Sequence, residues 1–401
     1  MNSGDAPSDH EDDLVTPAGR LPLAPRLALH YASLFFVVGI HLPFWPVWLK
    51  AQALPPWAIG VVLSTYAWVK VFANPVVTHI ADRLGHRRTV IVRLSAGALI
   101  AAGLFAVVDG FLGLFLLSIA WAALFTPTLP LTENLGMVAV RRRGLDYGRL
   151  RLWGSLAFIA ASTGLGAFLE GRAAGYILAA LVAAHALGVV TSLLLPDVRG
   201  GRRAETPAHP GRLATRPLML AFLTATGLTH VSHVIYYGFS TLHWQAAGIP
   251  DGVIGLLWAE GVIAEVLLFA VSGAVVDRVG PARLLVLAGL GGVVRWTVLG
   301  LTTNVWLLAL AQPLHAATFA CTHLGAMHFI GRAAPAGQSA TAQGLYSAVG
   351  MGGALGIAML GAGALYEALK GDAFLLMTGV AALGAAVAAV LAGRWTGGRL
   401  E

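Results

Sequence analysis

Apolar runs of about twenty residues alternate with short polar breaks along nearly the whole chain. A helix rises 1.5 Å per residue, so about 20 apolar residues cross the hydrocarbon of a bilayer. The pattern predicts twelve such helices, at 27–49, 56–79, 89–108, 111–136, 149–169, 173–195, 217–241, 252–275, 283–301, 304–329, 338–365 and 372–392. The longest polar stretch, PDVRGGRRAETPAHPGRLATR at 196–216, follows the sixth run and divides the chain into two sets of six. The expected organisation is a disordered tail at 1–25, a first bundle at 26–195, a linker at 196–216, a second bundle at 217–393 and a short tail at 394–401. The fold class expected is an all-α membrane protein of two pseudo-symmetric six-helix bundles.

Composition agrees with the pattern. The 401 residues are 57% hydrophobic and 11% charged, where a soluble domain carries about 25% charged residues. The net charge of +7 would raise nucleic acid as a partner in a soluble chain. Here the basic residues lie between apolar runs, and topology accounts for them. Of the 26 lysines and arginines, nineteen fall on the side of the breaks shared with both termini and three (Lys50, Arg172, Lys370) on the other. Four more lie inside runs. The positive-inside rule then places both termini and the linker in the cytoplasm of a cell whose inner, or plasma, membrane the chain crosses. Residues 1–20 are polar and acidic, unlike the basic then apolar start of a signal peptide. The single cysteine, Cys321, excludes an internal disulfide, and no spacing of metal ligands appears.

The halves repeat. Residues 59–85 open on Ile59-Gly60 and close on Asp82-Arg83-Leu84-Gly85, and 254–280 open on Ile254-Gly255 and close on Asp277-Arg278-Val279-Gly280. The offset is 195 residues throughout. Parallel six-helix repeats are a known transporter plan. The loop Asp82-Arg83-x-Gly85-x-Arg87-Arg88 resembles the signature loop of the major facilitator superfamily, and Gly273-x-x-x-Asp277-Arg278-x-Gly280 carries a second copy; Thr78 departs from the leading glycine of the first. The resemblance implies the major facilitator fold and a gating role for Asp82, Arg83, Gly85, Arg87, Asp277, Arg278 and Gly280. A plainer reading makes their bases topological charge alone.

A narrower resemblance is to the phenylpropionate permease group, near the lactose permease-like proton symporters. It is carried by Tyr147-Gly148-Arg149-Leu150-Arg151-Leu152-Trp153-Gly154-Ser155, by Ser232-His233 through Tyr236-Tyr237-Gly238-Phe239 to His243-Trp244, by Gly261-Val262-Ile263-Ala264-Glu265, and by Gln312-Pro313-Leu314-His315-Ala316. Ionisable residues inside a membrane cost roughly 2.5–3.5 kcal/mol each on insertion scales and face a cavity or a partner. In the resembled group Glu133 and Arg151 would build the substrate site, although a structural ion pair near the interface explains them as well. Arg295 and His315 match that group's proton-coupling pair, while its span-ten carboxylate falls on Thr318, which cannot accept a proton. Glu265 is the substitute expected, because a carboxyl withdrawn from water holds a proton more readily. Lys70 is its repeat mate in the first half, and its mid-span depth argues for a cavity rather than a snorkelling position. His233 and Tyr236 are expected to line the cavity, with Tyr31, Tyr66, Tyr237, Phe44 and Trp45 as possible aromatic walls or mere packing.

No phosphate loop, nucleophile elbow or metal cluster points to an enzyme. The reading is a secondary transporter acting as a monomer, with a small-molecule substrate, a proton as coupling ion, the lipid bilayer as its surroundings, and neither cofactor nor nucleic acid. The substrate expected is a small aromatic acid. A sugar or nucleoside symporter and a drug-type efflux carrier remain open.

Overall fold

A computed structural model describes residues 21–196 and 210–400, apart from the side chains of Arg141, Arg142 and Pro210. The expected tail through residue 20, the middle of the linker at 197–209, and Glu401 lie outside the described residues. Among the described residues there are only helices, turns and coil. In lipid no water is available to the backbone, and a helix satisfies its own polar groups.

Among the described residues, eleven helices are long and apolar enough to cross a membrane. They are α1 (Leu23–Ala51), α2 (Pro56–Leu84), α4 (Gly110–Val140), α5 (Tyr147–Leu169), α6 (Gly175–Leu193), α7 (Pro217–Ala246), α8 (Asp251–Ala270), α9 (Pro281–Leu301), α10 (Val305–Ala333), α11 (Ser339–Leu369) and α12 (Asp372–Arg394). The twelfth span expected is α3 (Arg87–Leu104), whose 18 residues include Arg87, Arg88 and Arg93 and are too charged to qualify by composition. It nonetheless packs in the first bundle against α4 and α6. The first helix starts at Leu23, inside the stretch expected as tail. At the other end Leu400 donates its backbone N–H to Ala333 O (2.7 Å), so the final residues fold back on α10.

Local chemistry explains the helix ends. Pro56, Pro217 and Pro281 stand at first-turn positions, where a missing N–H costs nothing. Asn304 accepts from the N–H groups of Trp306 and Leu307 and caps α10. Gly85 ends α2 at φ 71° and ψ −5°, the left-handed conformation of a helix stop. Its repeat mate Gly280 sits at φ 82° and ψ 153°. Pro281 follows Gly280, and the residue before a proline is driven to extended ψ. The two copies of the loop thus share a sequence pattern and differ in backbone.

The bundles correspond: α3 lies on α6 as α9 lies on α12, and α2 on α4 as α8 on α10. The halves meet along α2–α11 and α5–α8. Both seams are tightest at the end opposite the termini. A Cβ on Gly60 would lie 2.8 Å from Gly363 N, and one on Gly166 2.5 Å from Asp251 O. Glu170 Oε1 also accepts from Gly252 N across α5–α8 (3.2 Å). Toward the termini, the buried positions of α8 stop at Gly261 and those of α2 thin out after Val69. The halves are therefore closed at one end and parted at the end that carries the signature loops. Large apolar side chains such as Phe72, Ile100, Leu267, Leu310 and Ile357 are exposed around the outside, an area no soluble monomer leaves bare.

Three helices break where the sequence places proline or polar residues. The helix of α4 is interrupted at Thr126-Pro127, that of α7 at Ser232-His233, and that of α10 at Gln312-Pro313. Beyond the last break, Ala316–Cys321 winds as π-helix, as does Tyr346–Ala354 in α11. Such segments free carbonyls and re-aim side chains, and they gather at functional sites.

Candidate functional site

The break in α10 sets the main cluster. Arg295 of α9 is fully buried, and its guanidinium is surrounded by polar and aromatic groups. Its Nη1 donates to His315 Nδ1 (3.0 Å) and Thr318 Oγ1 (3.4 Å), and its Nη2 to Gln312 Oε1 (2.8 Å). The guanidinium lies 4.3 Å from the centre of the Tyr236 ring and 4.8 Å from that of Trp296. Tyr236 donates to the same Gln312 oxygen (3.2 Å). No carboxylate lies within ion-pair distance of Arg295 among the described residues. Buried cations are usually paired; here amide, hydroxyl, imidazole and aromatic faces take that place.

The histidine tautomers follow from these partners. A guanidinium only donates, so His315 Nδ1 is the acceptor and the ring proton sits on Nε2. That nitrogen faces Glu265 Oε2 at 3.7 Å. Gly261, one turn earlier on α8, makes the approach possible: a Cβ there would stand 3.1 Å from His315 Cβ. His233 Nδ1 lies 2.8 Å from the carbonyl of Thr229 and must donate to it, which leaves Nε2 to accept from the Thr318 hydroxyl (3.0 Å). Thr318 thus links Arg295 to His233. Two buried donors, Arg295 Nε and Gln312 Nε2, lack a partner among the described residues.

The remaining expected residues lie apart. Arg151 Nε and Glu133 Oε1 are 4.0 Å apart at the parted end, both partly exposed, and the guanidinium stands over the Phe35 ring, 3.9 Å from its centre. Lys70 stands on α2 in the first half, its Nζ 5.9 Å from the centre of Tyr66, with no acid in ion-pair range among the described residues. Asp82 pairs with Arg87 inside its own loop at 2.7 Å. Among the described residues, no hydrogen bond or ion pair joins Asp82 or Arg83 to Asp277 or Arg278.

Sequence reasoning set Tyr236 and His233 with the substrate and Arg295 and His315 with the proton, and the structure brings all four into one cluster. It did not assign Gln312 or Thr318. Gln312 stood in a motif used only for the resemblance, and Thr318 was noted only as a lost acid. Nor did it single out His41, Ser118, Trp121 and His185, four polar or aromatic residues in apolar runs that gather in the first half. The one available signal was their polarity at mid-span.

Comparisons with known proteins bear on this geometry. The profile of the MFS_1 like family matches residues 25–376. A probable 3-phenylpropionic acid transporter of Escherichia coli (strain K12) is 36% identical over 88% of this chain and 94% of its own length. A maltose permease of Geobacillus stearothermophilus is 29% identical over 81% and 83%. Among solved structures, the nucleoside transporter NupG superposes with a TM-score of 0.82 at 16% identity, covering 92% of this chain and 99% of that one. The match spans both bundles and the connection between them, and the relatives are membrane carriers rather than enzymes; the chain belongs to the MFS_1 like family of major facilitator transporters.

Proposed function

We propose that this carrier takes up a small aromatic acid of the arylpropionate kind together with a proton. The observation that carries the reading is Glu265, an interior carboxylate on an inter-bundle helix, 3.7 Å from the proton-bearing nitrogen of His315. A proton arriving on Glu265 cancels its charge and removes the carboxylate that His315 N–H faces, which ties the charge of α8 to the Arg295 cluster. Binding of an anion together with a proton moves less charge through the low-dielectric interior than either alone. Two interior cations without an acid in ion-pair range among the described residues, Lys70 and Arg295, suit an anionic solute, and the relative named for 3-phenylpropionic acid supports the class. The parted end carries the termini, so the state described would release solute to the cytoplasm. Rocking about the α2–α11 and α5–α8 seams would expose the site on the other side.

The test is proton movement on adding 3-phenylpropionate to proteoliposomes. Wild type should take up protons with the acid, and Glu265→Gln should bind the acid without moving protons. Unaltered proton uptake in the variant would transfer the role to Glu133 or Glu260.

A second reading has one specific observation behind it. Glu133 and Arg151, with the Phe35 ring beneath the guanidinium, form a donor–acceptor pair suited to hydroxyls, and a maltose permease is among the relatives. Uptake confined to neutral sugars or nucleosides would favour it. Drug-type efflux would instead appear as resistance in cells overproducing the chain.

A further inference from the structure

Resting on the reading just given, we infer that the aryl ring of the transported acid binds in the first bundle, against Trp121 and Tyr66, with Lys70 holding its carboxylate. Three rings converge there from three helices at mid-depth. His41 of α1 stacks on Trp121 of α4 (4.6 Å, 26°) and lies 5.3 Å from Tyr66 of α2. Tyr66 and Trp121 are themselves near-parallel at 5.9 Å. The indole is fixed from behind, since its Nε1 donates to His185 Nε2 at 2.9 Å. Its polar atom is spent away from the pocket and its face is presented to it.

A second, independent observation points to a ligand. Ser118 lines this pocket, is 3% exposed, and its hydroxyl has no partner. Ser64, Ser162, Ser192 and Ser232, also buried, donate to a carbonyl of their own helix; Ser95, outside this pocket, shares the unpartnered state of Ser118. A buried hydroxyl left unmade is a cost the fold usually avoids. Here it stands beside stacked rings, where a ring substituent or the water a ligand carries can use it.

The pocket also faces the other bundle. Its wall residue Leu63 reaches α7 of the second half, where a Cβ on Gly238 would lie 3.6 Å from Leu63 Cδ1. Lys70 is one helical turn from Tyr66 on the same face of α2 and has no acid in ion-pair range among the described residues. A ring stacked on Tyr66 and a carboxylate on Lys70, 5.9 Å from that ring's centre, belong to a ligand whose acid is separated from its arene by a short chain. In the state described, the rings rest on one another and leave no space for a water-sized sphere among them. The ligand's ring takes the place that the His41 imidazole holds on Trp121.

The experiment is uptake of radiolabelled 3-phenylpropionate by cells producing the full chain, competed by 3-cyclohexylpropionate. The second acid keeps the carboxylate and chain and lacks the arene face. Wild type should prefer the aryl acid by roughly threefold to tenfold, the range stacking supplies. Trp121→Leu should abolish the preference by raising KM for the aryl acid alone, and Trp121→Phe, which keeps a ring, should retain most of it. Lys70→Gln should raise KM for both acids by about tenfold to a hundredfold. A preference unchanged in Trp121→Leu, with normal amounts in the membrane, overturns the pocket while proton-coupled uptake of the acid stands. Wild type that takes up neither acid overturns both the pocket and the function proposed above.

Discussion

Gly166 is the position where the closed end of the molecule is most open to test. A methyl group there would sit 2.5 Å from the carbonyl oxygen of Asp251 and 3.2 Å from Gly255 Cα, backbone atoms of α8 that no rotamer can move. Carbon–oxygen contacts between packed helices settle near 3.3–3.6 Å, so α5 and α8 must part by roughly 1 Å. Overpacking of this kind costs about 1–3 kcal/mol. The cost falls only on the state in which the two helices touch, because nothing meets the methyl once the seam opens. The balance between states should then shift by about 5- to 150-fold toward the form parted at the end opposite the termini. Spin labels at Ala173 and Ala368 flank that end on the two halves, both exposed, and the single native thiol, Cys321, is buried. Double electron–electron resonance should show a longer distance gaining population in Gly166→Ala. Gly164→Ala is the control, because a methyl there meets nothing within 4 Å. An unchanged distribution in Gly166→Ala would refute the reasoning and show that the glycine contact does not limit closure.

Other expectations follow from single contacts. Gly280 has φ 82° and ψ 153°, a region nearly closed to other residues, so Gly280→Ala should cost about 1–3 kcal/mol and lower the thermal midpoint in detergent more than Gly85→Ala, whose left-handed conformation costs about 1–2 kcal/mol. Gln312→Leu strands Arg295 Nη2 and the Tyr236 hydroxyl without their acceptor, and the loss should be about 1–3 kcal/mol per buried group, read as a lowered midpoint that Gln312→Glu does not share. Arg87→Ala breaks a pair whose acid is largely exposed; its stability cost should stay below about 1 kcal/mol, and any larger effect on uptake would then belong to gating.

The sequence by itself determined the features that depend on local pattern. Apolar runs of span length, the 195-residue repeat and the two signature loops made the helical bundles and their pairing legible, because bilayer crossing is a constraint that each segment meets alone. The third span was legible from its apolar run at 89–108; three arginines keep α3 too charged to qualify by composition, and it takes its place through packing on α4 and α6. Covariant features of several segments needed the tertiary structure. Arg295 and His315 were legible as a pair, but that a glutamine, a tyrosine and a threonine stand in for the missing acid depends on the break at Gln312-Pro313 and the π-helical turn after it, which re-aim side chains by an amount no periodicity predicts. Glu265 could be chosen as the proton group from its depth, while its distance to His315 is set by the missing side chain of Gly261. The cluster of His41, Ser118, Trp121 and His185 was silent in sequence because each is one polar or aromatic residue in its own apolar run. Only the crossing of α1, α2, α4 and α6 brings them together. Which end of the molecule is closed was likewise decided by tertiary packing, since it rests on glycines of separate helices meeting backbone to backbone.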